Sequence, residues 1–133
     1  MSQENTQVEM RPVSHPMIDA FTDEYLRVLA GPDGAGGVPH YYQVCTSGAD
    51  GKPTWVVAQI QIQEGHPGQI GVNGIGNQTL MLILYDFLKK ANSGEFACRE
   101  NSVQLTKLEE VMHWSKQREL DRKQRGVLQT YKK

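Results

Sequence analysis

Phe96-Ala97-Cys98-Arg99-Glu100-Asn101, running on without a break to Asp121-Arg122-Lys123-Gln124-Arg125-Gly126, is the stretch whose reading decides the fold. From Cys98 to Arg125 the chain contains neither glycine nor proline, the two residues that most readily interrupt a helix. The segment therefore reads as one helix with an acidic start, an apolar middle and a basic end. At about 1.5 Å per residue it would span about 40 Å, more than a small domain of this size can cover along its whole length. Such a helix either projects into water or packs against another chain, and its arginines lie at the end least covered.

Upstream of it, Asn77 to about Ala91 carries Leu80, Leu84, Phe87 and Leu88 at helical spacing, with Asn77 as a plausible N-cap. Asn92-Ser93-Gly94 then reverses the chain, and Leu105, Leu108 and Met112 continue the apolar stripe on the long helix. An antiparallel helical hairpin follows from this pattern. Before it, His40–Thr46 and Thr54–Gln63 read as two strands joined by a turn with an Asp50-Gly51 signal. In the second, Val57, Gln59, Gln61 and Gln63 alternate with Ala58, Ile60 and Ile62, as in a sheet with one wet face. Gln69–Val72 offers a short third strand. Met17–Ala30 has Ile18, Phe21, Tyr25, Leu26 and Leu29 at helical spacing and reads as a short amphipathic helix, ended by the glycine-rich linker Gly31–Gly37. Residues 1–16 are polar, contain two prolines and read as loosely attached.

The expected organisation is an α+β chain. An N-terminal extension covers residues 1–38, and residues 39–133 form a domain with a small antiparallel sheet (39–73) and a hairpin (77–126). The formal net charge of −1 hides an asymmetry. Residues 116–133 hold Lys116, Arg118, Arg122, Lys123, Arg125, Lys132 and Lys133 against Glu119 and Asp121, while the first thirty residues lean acidic. A basic end on a near-neutral chain suits a small anion better than extended nucleic acid. Cys45 and Cys98 lack metal-ligand spacing and read as reduced thiols of a cytoplasmic protein. The longest apolar run, Leu80–Tyr85, is far too short to span a membrane.

Arg118, Arg122 and Arg125 stand at i, i+4 and i+7, so their guanidinium groups share a helix face and can grip phosphates. A solvated helix end, favoured by the helix dipole, explains the same residues more plainly. Asp121, between them, can pair with Arg118 or Arg125 or accept a ribose hydroxyl. Glu100 and Asn101 suit the start of the long helix as capping residues or as ligand contacts. Asn101 and Arg118 are seventeen positions apart, about 25 Å along one axis, so both reach one small molecule only if two chains build the site. The glycines of Gly71-Val72-Asn73-Gly74-Ile75-Gly76 do not match a dinucleotide or P-loop fingerprint. No spacing points to a catalytic triad, a carboxylate pair, a metal site or a cofactor, so no enzyme is expected.

The residues Ile70-Gly71-Val72-Asn73-Gly74-Ile75, Gly94-Glu95-Phe96-Ala97-Cys98-Arg99-Glu100-Asn101, Leu105-Thr106-Lys107-Leu108-Glu109-Glu110, Asp121-Arg122 and Arg125-Gly126-Val127 carry a resemblance. They resemble the first type of phage Thoeris anti-defence proteins, which share a helical hairpin with an anti-CBASS sponge family. The resemblance spans roughly residues 55–127 and implies a binder that sequesters cyclic nucleotide immune signals, such as glycocyclic ADP-ribose, without degrading them. It also implies a homodimer assembling further, often to a hexamer, in the cytoplasm of the infected bacterium, with the nucleotide between two chains. Ligand-contacting positions then fall on Asn101, Arg118 and Arg122, with Asp121 beside them, and Arg99 matches a position of a separate cyclic-oligonucleotide site. Ala91 stands where relatives carry an aromatic residue, with Phe96 or Tyr131 as possible substitutes. His66 stands where a second basic residue of the separate site is expected. Two other readings remain: a basic helix that binds nucleic acid, recognisable by steep salt dependence, and an oligomeric phage structural protein.

Overall fold

The computed structural model describes residues 9–18 and 25–128, which fall into two compact units, Met1–Gly74 and Ile75–Lys133. The first unit is an antiparallel meander of four strands, β1 (Arg11–Val13), β2 (Leu26–Ala30), β3 (Tyr41–Ser47) and β4 (Pro53–Gln61), in the order β1-β2-β3-β4. The two expected strands are thus present, and two more precede them. Arg11 pairs with Ala30 and Val13 with Val28, so these three residues of the segment expected to hang loosely form an edge strand, while residues 1–8 lie outside the described residues. β2 replaces the end of the expected helix. Leu26 and Leu29 fit a helical stripe, but all five residues Leu26–Ala30 are paired with Tyr42–Thr46 of β3. Strand pairing with a neighbour overrides so short a periodic signal. Residues 19–24, the middle of that expected helix, lie outside the described residues.

The glycine-rich segment after β2 is a closed loop. Gly34 N–H donates to Val38 O at 2.8 Å, a short helical turn spans Ala35–Gly37, and Asp33 bridges Pro39. Glu64 folds back on it, its Oε2 accepting from Ala35 N–H at 3.0 Å. His40 Nε2 stands 2.8 Å from Ala35 O, while its buried Nδ1 meets no hydrogen-bond partner among the described residues. Core burial is sparse: among the described residues the fully buried apolar side chains are Ala30 and Cys45, at the centre of the sheet. Along β4 only Ile60 is even half-buried, and Trp55 is 68% exposed, so this strand is wet on both faces over most of its length.

Gln69–Val72 is not a third strand. Pro67–Ile70 forms a single helical turn, α1, started by His66, whose Nδ1 accepts from Gly68 N–H at 2.9 Å. Proline at the first helical position fixes φ and lacks the amide that a strand would need. The loop is tied by side chains instead. Gln63 Oε1 accepts from the amides of Asn73 and Gly74, and Asn73 exchanges two hydrogen bonds with the Glu64 backbone at 2.9 and 2.8 Å.

The second unit is the hairpin: α2 (Asn77–Ala91) and α3 (Arg99–Gln124), the latter 26 residues long. Gly76, rather than Asn77, is the N-cap of α2 and offers no side-chain cap. Three polar rungs join the helices. Asn92 Nδ2 donates to Ser102 Oγ at 3.0 Å, Tyr85 O–H to Glu109 Oε2 at 3.0 Å, and Gln78 Nε2 to Ser115 Oγ at 2.8 Å. Gln78, Tyr85 and Asn92 recur every seven residues, two turns of helix, and so share one face. These rungs rotate α2 away from the expected stripe. Met81, Tyr85 and Leu88 are half-buried, whereas Leu84 is 48% and Phe87 68% exposed.

Two outcomes test this description. A Cβ on Gly74 would stand 2.6 Å from Gln61 O, Gln63 N and Ile62 C, all backbone atoms that cannot rotate away. Gly74→Ala is therefore expected to lower stability by about 1–3 kcal/mol in urea unfolding. His40 has its pKa raised above 6.5, chiefly by the Ala35 carbonyl and against the effect of burial, with Glu64 adding attraction. A raised folded-state pKa contributes stability that is complete below the unfolded value and fades as pH climbs through the folded one. Stability should thus fall as pH rises above about 6.5, and His40→Gln should flatten that slope in melts taken across neutral pH.

Candidate functional site

The open end of the hairpin is shaped by how α3 stops. Arg125 is the C-cap, and Gly126 takes φ 73°. Gly126 N–H donates to Lys123 O at 3.1 Å and Val127 N–H to Arg122 O at 3.0 Å. This paired arrangement is a Schellman motif, which satisfies the last carbonyls and turns the chain back along the helix. Arg122 is clamped by that return. Its side chain is 5% exposed, and its Nη2 donates to Val127 O at 2.8 Å. A guanidinium can be buried only if such partners replace water.

Beside it lies a groove of about 660 Å³ lined by Asn77, Gln78, Met81, Trp114, Arg118 and Arg122 among others. The walls are the first turn of α2 and the basic half of α3. Ser115 and Glu119 share its lining and hold Gln78, which reaches Glu119 Oε1 at 3.4 Å as well as Ser115. Glu119 is also paired with Lys116 at 3.5 Å, on the exposed surface. Among the described residues Arg118 makes no hydrogen bond or ion pair, so its guanidinium has its donors available to a ligand. Arg118 and Arg122 are one turn apart on the groove side of α3, spacing suited to a phosphate or pyrophosphate group.

The other expected contact residues are distributed differently. Asp121 is ion-paired with Arg125, Nε to Oδ2 at 3.1 Å, and lines a separate hollow with Gln117, Leu120, Lys123 and Gln124. Arg125, expected on the face of Arg118 and Arg122, is drawn aside by this pair. Asn101 is at the turn end of the hairpin. Its Nδ2 donates to Phe96 O at 3.2 Å, its Oδ1 accepts from Gln104 at 3.4 Å, and its own N–H is capped by Cys98 Sγ at 3.4 Å. Cys98, not Glu100 or Asn101, is thus the side-chain cap of α3. Asn92 Oδ1 accepts from Cys98 N–H at 3.0 Å and tightens the same turn. Arg99 is exposed as the first residue of α3, and Ala91 is the half-buried last residue of α2. One chain therefore brings Arg118 to Arg122, and Asn101 to the neighbourhood of Arg99, but keeps the two groups at opposite ends of α3.

Trp114 is a groove residue that the charge and apolar patterns of the sequence do not single out; it sits beside His113 on α3. The two rings do touch edge to face, at 5.7 Å and 78°. Trp114 is nonetheless 69% exposed. Its spacing of i, i+4 and i+8 with Arg118 and Arg122 was the available signal.

An antiparallel helical hairpin following a four-stranded meander, with two arginines in a groove at its open end, defines the structural class. Residues 56–118 match the family described as Acb2/Tad1, hairpin domain. The chain is also 38% identical over 77 residues to the Thoeris anti-defense 1 protein of Bacillus phage SBSphiJ7, an alignment covering 58% of this chain and 54% of that protein. It thus spans about half the length of the curated relative it matches.

The cap gives a direct test of how the groove is built. A side chain at φ 73° costs about 1–2 kcal/mol even though nothing lies within 4 Å of a Cβ on Gly126. Gly126→Val is expected to lower stability by about that amount in chemical denaturation. Amide exchange at Val127 should rise with it as the hydrogen bond to Arg122 O is lost.

Proposed function

We propose that this chain is a phage anti-defence protein that binds and sequesters a cyclic nucleotide immune signal without breaking it. The observation that carries the reading is the pair Arg118 and Arg122, side by side in the groove of an Acb2/Tad1-type hairpin. The printed name of the relative, Thoeris anti-defense 1, supports the anti-defence role. Buried, clamped Arg122 supplies a fixed positive wall, and Arg118 supplies a guanidinium able to close on the ligand. Two such forks match the two phosphates of a pyrophosphate or the phosphodiesters of a cyclic oligonucleotide.

The rest of the pocket comes from a second copy. Asn101 is about 25 Å from Arg118 along a straight helix, so it reaches the ligand only from the partner's turn end, together with Ala91. Exposed Leu80, Ile83, Leu84 and Phe87 on α2 are the apolar surface that self-association would cover. Asp121 joins the site by releasing Arg125 and accepting a ribose hydroxyl. Arg99 belongs to a second, cyclic-oligonucleotide site at the turn end, in the host cytoplasm as elsewhere in this reading. Inhibition then works by lowering the free signal, so affinity and abundance decide its strength rather than turnover.

Native mass spectrometry of the protein with glycocyclic ADP-ribose isomers, cyclic dinucleotides and cyclic trinucleotides tests this. Saturable adducts on an even-numbered oligomer, releasing intact nucleotide on heating, are expected. Arg118→Glu is the cleaner variant, because Arg122 also holds the fold, and should weaken binding by at least about 10- to 100-fold. Absence of any adduct on a folded oligomer would overturn the reading, and steeply salt-dependent, sequence-indifferent capture of oligonucleotides would replace it with a nucleic-acid binder.

A further inference from the structure

We infer that Trp114 is the stacking platform for a nucleobase in the Arg118–Arg122 groove, taking the place of the ring that Ala91 does not supply; this rests on the cyclic-nucleotide reading and deepens it. Trp114 is large, apolar and yet 69% exposed, and it lines the same groove as both arginines. An indole left this open on the wall of a groove that also holds two guanidinium groups is unlike a core tryptophan. His113 meets it in a T-shaped contact at 5.7 Å, which steadies the ring.

The spacing fits one ligand class. Trp114 precedes Arg118 by one helical turn, about 6 Å along the axis, and Arg122 lies one turn further. Base, sugar and phosphate follow one another in a nucleotide on that scale. An aromatic face accepts any base, and the arginines take the phosphates without reading sequence. The other wall adds hydrogen-bonding groups of Asn77 and Gln78. At the turn end Ala91 has no ring and is half-buried, and Phe96, 73% exposed, reaches this groove only from a partner's turn end, whereas Trp114 lines it within the same chain as both arginines.

The experiment uses the full chain with Trp55→Phe, leaving Trp114 as the fluorophore, titrated with cyclic ADP-ribose, with the tightest nucleotide of the panel above, and with inorganic pyrophosphate as a base-free probe. Quenching by the nucleotides and not by pyrophosphate is expected. Trp114→Ala should weaken nucleotide binding by about 5- to 100-fold while leaving pyrophosphate affinity unchanged, and Trp114→Phe should restore most of it. A purely structural role would instead change oligomer mass or affect both probes alike. If Arg118→Glu abolishes nucleotide binding but Trp114→Ala leaves it intact without quenching, stacking is overturned and the sponge reading stands. If Phe96→Ala alone reproduces the loss, the ring is at the partner's turn end and the inference is again overturned. Wild-type protein that binds none of the nucleotides overturns both.

Discussion

A helix of 26 residues holds its two ends at a fixed distance, and the residues of the proposed site occupy both ends. Every geometric question about the site reduces to that separation. A shorter α3, or one kinked by a proline, would let a single chain fold Asn101 toward Arg118. The unbroken run from Arg99 to Gln124 forbids it. Rigidity is therefore what makes a second copy necessary in the proposed site, and it also keeps each half-site in shape before a ligand arrives. Binding into halves formed in advance loses less freedom than ordering a loop on contact.

The hairpin keeps its alignment through polar rungs set among half-buried apolar residues, Met81 and Leu88 on α2 and Leu105, Leu108 and Met112 on α3. Asn92–Ser102, Tyr85–Glu109 and Gln78–Ser115 hold the same register from turn to open end. Each such bond contributes about 1 kcal/mol at most when exposed, so together they align the helices more than they stabilise them. What they do fix is orientation. Turning Gln78, Tyr85 and Asn92 inward turns Leu84 and Phe87 outward, so the apolar surface available to a partner is a consequence of the ladder within the chain.

Much of this was legible in the sequence, where one signal was long and unopposed. The glycine- and proline-free run gave α3 nearly to the residue, and the Asp50-Gly51 signal gave the turn between β3 and β4. Short signals misled. Leu26 and Leu29 suited a helix but pair as a strand, because a five-residue segment takes its structure from a neighbour rather than from its own period. Gln69–Val72 lost to Pro67 and to the side-chain ties of Gln63 and Asn73, which no propensity records. On α2 the apolar spacing of Leu80, Leu84, Phe87 and Leu88 suggests one stripe, whereas polar residues seven apart decide which face points inward. The arginines of the groove stand out in the sequence because charge repeats are visible; Trp114 does not, because a lone tryptophan looks like core until its exposure is known.

In the hairpin unit, the one buried side chain among the described residues is Arg122, an arginine. A pair of helices with so little apolar burial has a small folding free energy of its own. Whatever covers Leu84 and Phe87, or bridges Arg118 to a neighbour's Asn101, then enters the folding equilibrium by mass action. Stability becomes a function of how much protein and how much ligand are present. The fold would be weakest when both are scarce and firmest when a cell is flooded with each.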